Sequence, residues 1–404
     1  MSDIEEGTLV NEGALPPDDF SYDIERIVEI ADYDLETPAD LAERVSTSTA
    51  QLLLAPTVAE EAAAALSVGH LILQGPPGTG KSSLARALCH AFSCGFLPVT
   101  AHEDWSVFDV IGRQELRVDP EGLEEIIPVN GFFTDASIAC AGAVVKHFDD
   151  PSEPQAVWLL IDELNRAHID RAFGELFTVL GSDEPVEIVL PHQRDGNRVM
   201  VTPRRFRIIA TLNNFDRQFV NELSEALRRR FTFINVDIPA KRSQGSSWSD
   251  QLSEELAIRE FRAVVERAAA RVQRRIVSMG EVAVLSAELA SAATTALEGL
   301  FNLVEQVRYA ERESNVPHLP IGTAQLIDTA ELLLARARQT DADTSAIPDL
   351  LDWAAAIKLA PLFDTATVNH AQLIQFAESL PAPFSGRFSR ELRQLVAAGS
   401  YYVE

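Results

Sequence analysis

The chain has 404 residues with 34 Lys and Arg against 61 Asp and Glu, a formal net charge of −27. At 46% hydrophobic and 24% charged residues the composition excludes a disordered or fibrous chain. The charge excludes a salt-driven grip on phosphate backbones over the whole surface, though not a local basic channel.

Residues 1–48 hold fourteen acidic side chains and two basic ones, Arg26 and Arg44, a local charge of −12. After the breaker cluster Pro16-Pro17-Asp18-Asp19, the spacing of Ile24, Ile27, Val28 and Ile30 predicts one short helix. A solvated tail with one docked helix and an acidic arm that binds a partner both fit this segment. From 49 to 240, short apolar runs at 70–73, 96–100, 157–161, 206–211 and 231–236 predict buried strands with amphipathic segments between them. Runs this short and this apolar suggest a parallel sheet covered on both faces. Beyond 241 the strand signals end, and 252–276, 283–310 and 323–338 show helical spacing, broken at Gly280, at 317–320 and at Ile347-Pro348. The predicted domains are an acidic arm (1–48), an α/β nucleotide-binding domain (49–240) and a helical domain (241–404), with a linker over 241–249.

Gly75-Pro76-Pro77-Gly78-Thr79-Gly80-Lys81-Ser82 satisfies the pattern G-x-x-x-x-G-K-[ST] between an apolar strand and a helix predicted over 83–92. Glycines let successive backbone N–H groups converge on phosphate oxygens, and the helix N-terminus that follows, at Ser83, adds its dipole. Lys81 supplies a point charge for the outer phosphates and Ser82 a hydroxyl for Mg²⁺. The strand at 157–161 ends in Asp162 and Glu163, where alternation sends the two carboxylates in different directions at the sheet edge that binds ligands. Asp162 is then the second Mg²⁺ residue and Glu163 the group that polarises an attacking water. A helix N-cap is the bland alternative for the pair.

Through these motifs the sequence resembles the AAA+ ATPases, in the dynein-related branch of McrB-like restriction motors and MoxR-like remodellers. Asp162-Glu163-Leu164-Asn165-Arg166-Ala167 followed by Phe173-Gly174-Glu175-Leu176, the strand ending at Asn213, and the segment from Glu222 to Phe231 carry the resemblance. The resemblance implies a P-loop NTPase fold, a parallel sheet with flanking helices followed by an all-helical lid. It also implies that Asn213 orients the water and that an arginine finger acts on the neighbouring subunit. Arg228, Arg229 and Arg230 point about 100° apart on a helix, so they do not share one task. Arg228 or Arg229 is favoured for the finger, with helix-end charge pairing as the alternative. A finger implies a homo-oligomeric ring, and the resemblance suggests a hexamer with a separate effector or client protein.

Hairpins predicted at 114–129 and 185–201 face the pore or a partner in such rings, or are ordinary surface hairpins. The lid arginine expected near Ile321-Gly322-Thr323-Ala324-Gln325 is missing, and Gln325 or a neighbour's arginine is the substitute considered. The row Arg259, Arg262, Arg267, Arg271, Arg274 and Arg275 reads as a solvated helix face, with nucleic acid or partner contact as the sharper reading. Cys89, His90 and Cys94 read as core packing and not a metal site, because C-x₄-C has no second ligand pair. Trp105, Phe108 and Val110 fit either a pore lining or a half-buried segment. Three cysteines point to a reducing compartment, the cytoplasm, and no apolar run reaches the ~18 residues of a membrane span.

ATP is favoured over GTP as the nucleotide, because most AAA+ members use ATP and the Asn-Lys-x-Asp signature of G proteins is absent at Asn213-Asn214-Phe215-Asp216. The reading is a Mg²⁺-dependent NTPase motor that remodels a protein partner or moves on DNA. The alternatives are the GTP-hydrolysing subunit of a modification-dependent restriction complex and a nucleotide-gated assembly scaffold.

Overall fold

The computed structural model describes residues 30–118, 122, 124–176, 179–181, 186–194, 197–213, 224–278, 286–311, 314–340, 342–365 and 368–399. The acidic segment 1–29 with its predicted helix, the hairpin-turn residues 119–121 and 195–196, the stretch 214–223 with Asn214, Phe215, Asp216 and Glu222, and Gly280 lie outside them. By contacts the chain divides into two compact units: residues up to Gly75 with Gly80–Val236, and Pro76–Thr79 with the residues from Asp237 on.

The first unit runs α1 (Leu41–Thr49), α2 (Pro56–Val68), β1 (His70–Gly75), α3 (Lys81–Ala91), β2 (Gly95–Thr100), α4 (Val107–Val110), β3 (Gly112–Val118), β4 (Glu124–Asn130), α5 (Phe132–Asp149), β5 (Val157–Asp162), α6 (Ile169–Phe173), β6 (Val186–Arg194), β7 (Asn197–Thr202), β8 (Ile208–Asn213), α7 (Glu225–Arg228) and β9 (Phe231–Asn235). Five strands form one parallel sheet in the order β2-β5-β8-β1-β9. Leu71, Ile72, Leu73, Trp158, Leu159, Ile161, Ile208 and Ile209 are buried in it. Helices cover both faces of such a sheet, so its strands read as continuous apolar runs. From β1 the chain passes to the far edge at β2 and returns through β5 and β8, which fill the gap beside β1. The C-terminal ends of β1, β5 and β8 therefore lie side by side, where open α/β sheets bind ligands.

Both predicted hairpins form, β3 with β4 and β6 with β7. The fourth predicted strand, β8, begins two residues later than the apolar run at 206–211 suggests. Phe206 is held in a turn by its N–H to Pro203 O at 3.0 Å, and the strand runs on to Asn213 because β8 pairs with β1 through Gly75↔Asn213. Residues 30–48 are not a free tail either. Ile30, Ala31 and Val45 are buried, Arg204 bonds Asp32 at 3.2 Å, and Arg205 bonds Glu36 at 2.9 Å.

The second unit is helical: α8 (Leu256–Ser278), α9 (Ala287–Arg308), α10 (Thr323–Gln339), α11 (Ile347–Lys358), α12 (His370–Ser379) and α13 (Arg387–Gly399). The expected linker at 241–249 is folded onto it. Trp248 is buried, its indole N–H donates to Asn302 Oδ1 at 2.8 Å, and the Arg242 guanidinium lies over its ring at 4.2 Å. A large aromatic that closes a core ties down the segment that carries it.

Candidate functional site

Gly78 (φ +76°) and Gly80 (φ +93°) hold the loop in the left-handed region that favours glycine, and α3 begins at once with Lys81, two residues earlier than predicted. The Lys81 ammonium is buried and donates to Gly75 O at 2.9 Å. Burial lowers its pKa to about 8, against the pull of the Asp162 and Glu163 charges, which favour the ammonium. Ser82 Oγ donates to the Asp162 carboxylate, at 3.0 and 3.1 Å from its two oxygens. Ser83 is exposed on the next position of α3.

Asp162 ends β5, and register places it beside Thr100 of β2. A second hydroxyl, that of Thr211 on β8, donates to Asp162 Oδ1 and accepts the Glu163 N–H at 3.0 Å. Glu163 itself has φ +56° and ψ +42°, a left-handed conformation that turns its side chain out of the strand. Its carboxylate pairs with Arg166 Nε at 2.9 Å. The expectation that the two neighbouring acids diverge is met, but by a left-handed residue as well as by strand alternation. Asn165, buried just beyond, accepts the Asn213 N–H on its Oδ1 at 3.3 Å, which ties the end of β8 to the turn after β5. An open pocket lined by Ser82, Arg86, Thr100, Asp162 and Thr211 lies here.

The first unit thus brings together Gly75, Lys81, Ser82, Asp162, Glu163 and Asn213. A hydroxyl bonded to a carboxylate is a fitting donor set for a hard divalent cation, and the site's donors agree with Mg²⁺. Pro76, Pro77 and Thr79 complete the loop, with Thr79 Oγ1 donating to Pro76 O at 3.1 Å. Thr211 and Asn165 were not singled out from the sequence. Thr211 stands two residues before Asn213, on the same strand face, and that period was the available signal.

The arginines separate by partner. Arg229 is ion-paired with Glu225, and Arg230 donates to Ala226 O at 2.5 Å. Arg228, at the end of α7, is exposed; its backbone N–H donates to Ser224 O at 3.1 Å, and its side chain has no hydrogen bond or ion pair among the described residues. In the helical unit, the arginine brought to the turn at Ile321 is Arg308. Its Nε donates to Ile321 O at 2.8 Å, and its two terminal nitrogens bond buried Glu260 at 2.6 and 2.8 Å.

Two arginines of the α8 row, Arg262 and Arg271, are engaged inside their own unit. Arg262 donates to Ser253 O at 2.7 Å, and Arg271 pairs with Asp328 and Glu331 at 2.9 and 3.2 Å. Trp105 and Val110 are buried while Phe108 is exposed, and the Trp105 ring lies 4.5 Å from that of Phe132. That describes a half-buried segment. Cys89 and Cys94 are buried and burial pushes both thiols up; among the described residues no three His, Cys, Asp or Glu side chains group to hold a metal. No helix of the described residues is long and apolar enough to cross a membrane.

The AAA domain of the dynein-related subfamily matches residues 70–231. The chain is 29% identical over 177 residues to the EcoKMcrB subunit of the type IV methyl-directed restriction enzyme of Escherichia coli K12, covering 42% of this chain and 35% of that one. It is 30% identical over 176 residues to the chaperone MoxR1 of Mycobacterium tuberculosis, covering 43% and 38%. The chain spans little more than a third of the length of these two curated relatives. Among solved structures, a point mutant of Thermotoga maritima RuvB aligns with a TM-score of 0.37 at 13% identity, over 86% of this chain and 94% of that one.

Proposed function

Residues 70–231 are an AAA domain of the dynein-related subfamily, McrB- and MoxR-like in sequence, and from that premise we propose that the chain is an oligomeric, Mg²⁺-dependent NTPase motor. The favoured nucleotide is ATP, and hydrolysis is coupled to remodelling of a protein partner or to movement along DNA. In this reading 49–240 is the nucleotide-binding domain and 241–404 an enlarged lid. The observation that supports it is the cluster at the sheet edge, where Ser82 and Asp162 are hydrogen-bonded and Glu163 diverges from them.

The loop from Gly75 to Ser83 binds the triphosphate through backbone N–H groups, and Lys81 places its charge on the outer phosphate oxygens. Ser82 and Asp162 would hold Mg²⁺, which supplies charge neutralisation on the phosphates when bound. Glu163 accepts the hydrogen bond of the attacking water and draws off its proton, while Asn213 fixes the water's orientation. Arg228, whose side chain has no partner among the described residues, is the better of the two finger candidates, since Arg229 already has Glu225. Three unpaired, buried thiols favour a reducing compartment.

Replacing Glu163 by Gln keeps the shape and removes the base. Turnover is expected to fall by about 10²–10⁴ while a fluorescent nucleotide still binds as in the wild type. Unchanged hydrolysis would sink the assignment. A GTP-hydrolysing role in a restriction complex is the second reading, supported by the likeness to a protein named as a restriction enzyme subunit. Competition between ATP and GTP for the loop separates the two.

A further inference from the structure

We propose that the Thr211 hydroxyl is a positioning residue for hydrolysis, holding Glu163 at the angle from which it reaches water. The inference rests on the hydrolytic role given to Glu163 above. Thr211 is 4% exposed and its hydroxyl has two bonds, one received from the Glu163 N–H at 3.0 Å and one given to Asp162 Oδ1. A single hydrogen-bond chain therefore runs from the Glu163 backbone through Thr211 to the carboxylate that Ser82 also bonds.

Two features make that chain more than packing. Glu163 is one of two non-glycine residues with positive φ among the described residues. That conformation is strained for a residue with a Cβ, so a neighbour must hold it. The Glu163–Arg166 ion pair is half-exposed and worth little in holding a backbone angle, whereas Thr211 grips the Glu163 peptide itself. Thr211 also donates its only hydroxyl proton to Asp162, which fixes the direction in which its lone pair faces the Glu163 N–H. Sheet register sets the distance, because β8 and β5 are paired through Ile161↔Ala210, one residue short of both Asp162 and Thr211.

Valine has the shape of threonine without the hydroxyl, and serine has the hydroxyl without the methyl. In Thr211→Val, turnover is expected to fall about 10–100-fold with nucleotide affinity within about threefold of wild type. Thr211→Ser is expected to keep turnover within about threefold. A merely structural Thr211 predicts the reverse ranking, and either a fully active valine variant or a serine variant as impaired as valine would overturn the proposal. Hydrogen exchange of the Glu163 amide in the nucleotide-free protein supplies a second readout. Protection is expected to fall in Thr211→Val and to persist in Thr211→Ser. A wild-type protein that hydrolyses no nucleotide counts against the role of Glu163, while unchanged amide protection in the valine variant counts against Thr211.

Discussion

At the scale of single residues, Glu260 shows how much can hang on one partner. It is fully buried, and its carboxylate is met by both terminal nitrogens of Arg308 and by the Thr323 hydroxyl at 2.6 Å. An isolated buried charge is far more costly than a neutral pair of the same volume, so the two ways of removing this ion pair should differ. Arg308→Ala strands the carboxylate and is expected to destabilise the protein by about 3–5 kcal/mol, whereas the double change Glu260→Leu with Arg308→Met is expected to cost much less. Urea midpoints of the single and double variants check this, and a double variant as weak as the single one would refute it. The same pair explains why Arg308, though close to the turn where a lid arginine was expected, is held in a structural task.

At the scale of elements, β1 and β8 are joined by more than their ladder. His70, at the start of β1, accepts the Ile208 N–H on Nδ1 at 3.1 Å. Burial, with the Arg207 guanidinium adding to it, pushes the imidazole down from 6.5 to about 3. The folded protein therefore keeps His70 neutral at a pH where the unfolded chain protonates it. Between 6.5 and 3 the unfolded state binds more protons, so stability falls as the pH drops through that window. His70→Asn retains an acceptor for Ile208 and does not titrate. Its loss of stability between about pH 6.5 and about pH 4.5 is expected to be smaller than that of the wild type by about 2 kcal/mol, read from denaturant midpoints at the two pH values. Parallel acid slopes would show that His70 is not the group responsible.

At the scale of the whole molecule, a finger that acts on a neighbour makes a distinctive prediction. Arg228→Ala alone is expected to lower turnover about 10³-fold or more. Mixed with Glu163→Gln, it should regain activity up to about a quarter of wild type, because random head-to-tail neighbours then pair an intact Glu163 with an intact Arg228. No recovery in a mixture shown to co-assemble would place Arg228 in its own subunit's site or outside catalysis. The net charge of −27 also looks different at this scale. Asp32, Asp34 and Glu36 belong to the acidic segment but are ion-paired with Arg204 and Arg205, so part of that charge is a seam of the α/β unit. Elements whose evidence is local are legible along the chain. Apolar runs marked all five sheet strands, Gly75 to Ser82 marked the phosphate loop, and 3.6-residue spacing marked the long helices, because each signal lies within one turn or one strand. Which distant groups meet is visible in the folded chain alone. Ser82 and Asp162 stand 80 residues apart, Thr211 and Asp162 49, and Arg308 and Glu260 48. Those meetings follow from strand register and helix packing, and no periodicity along the chain encodes either.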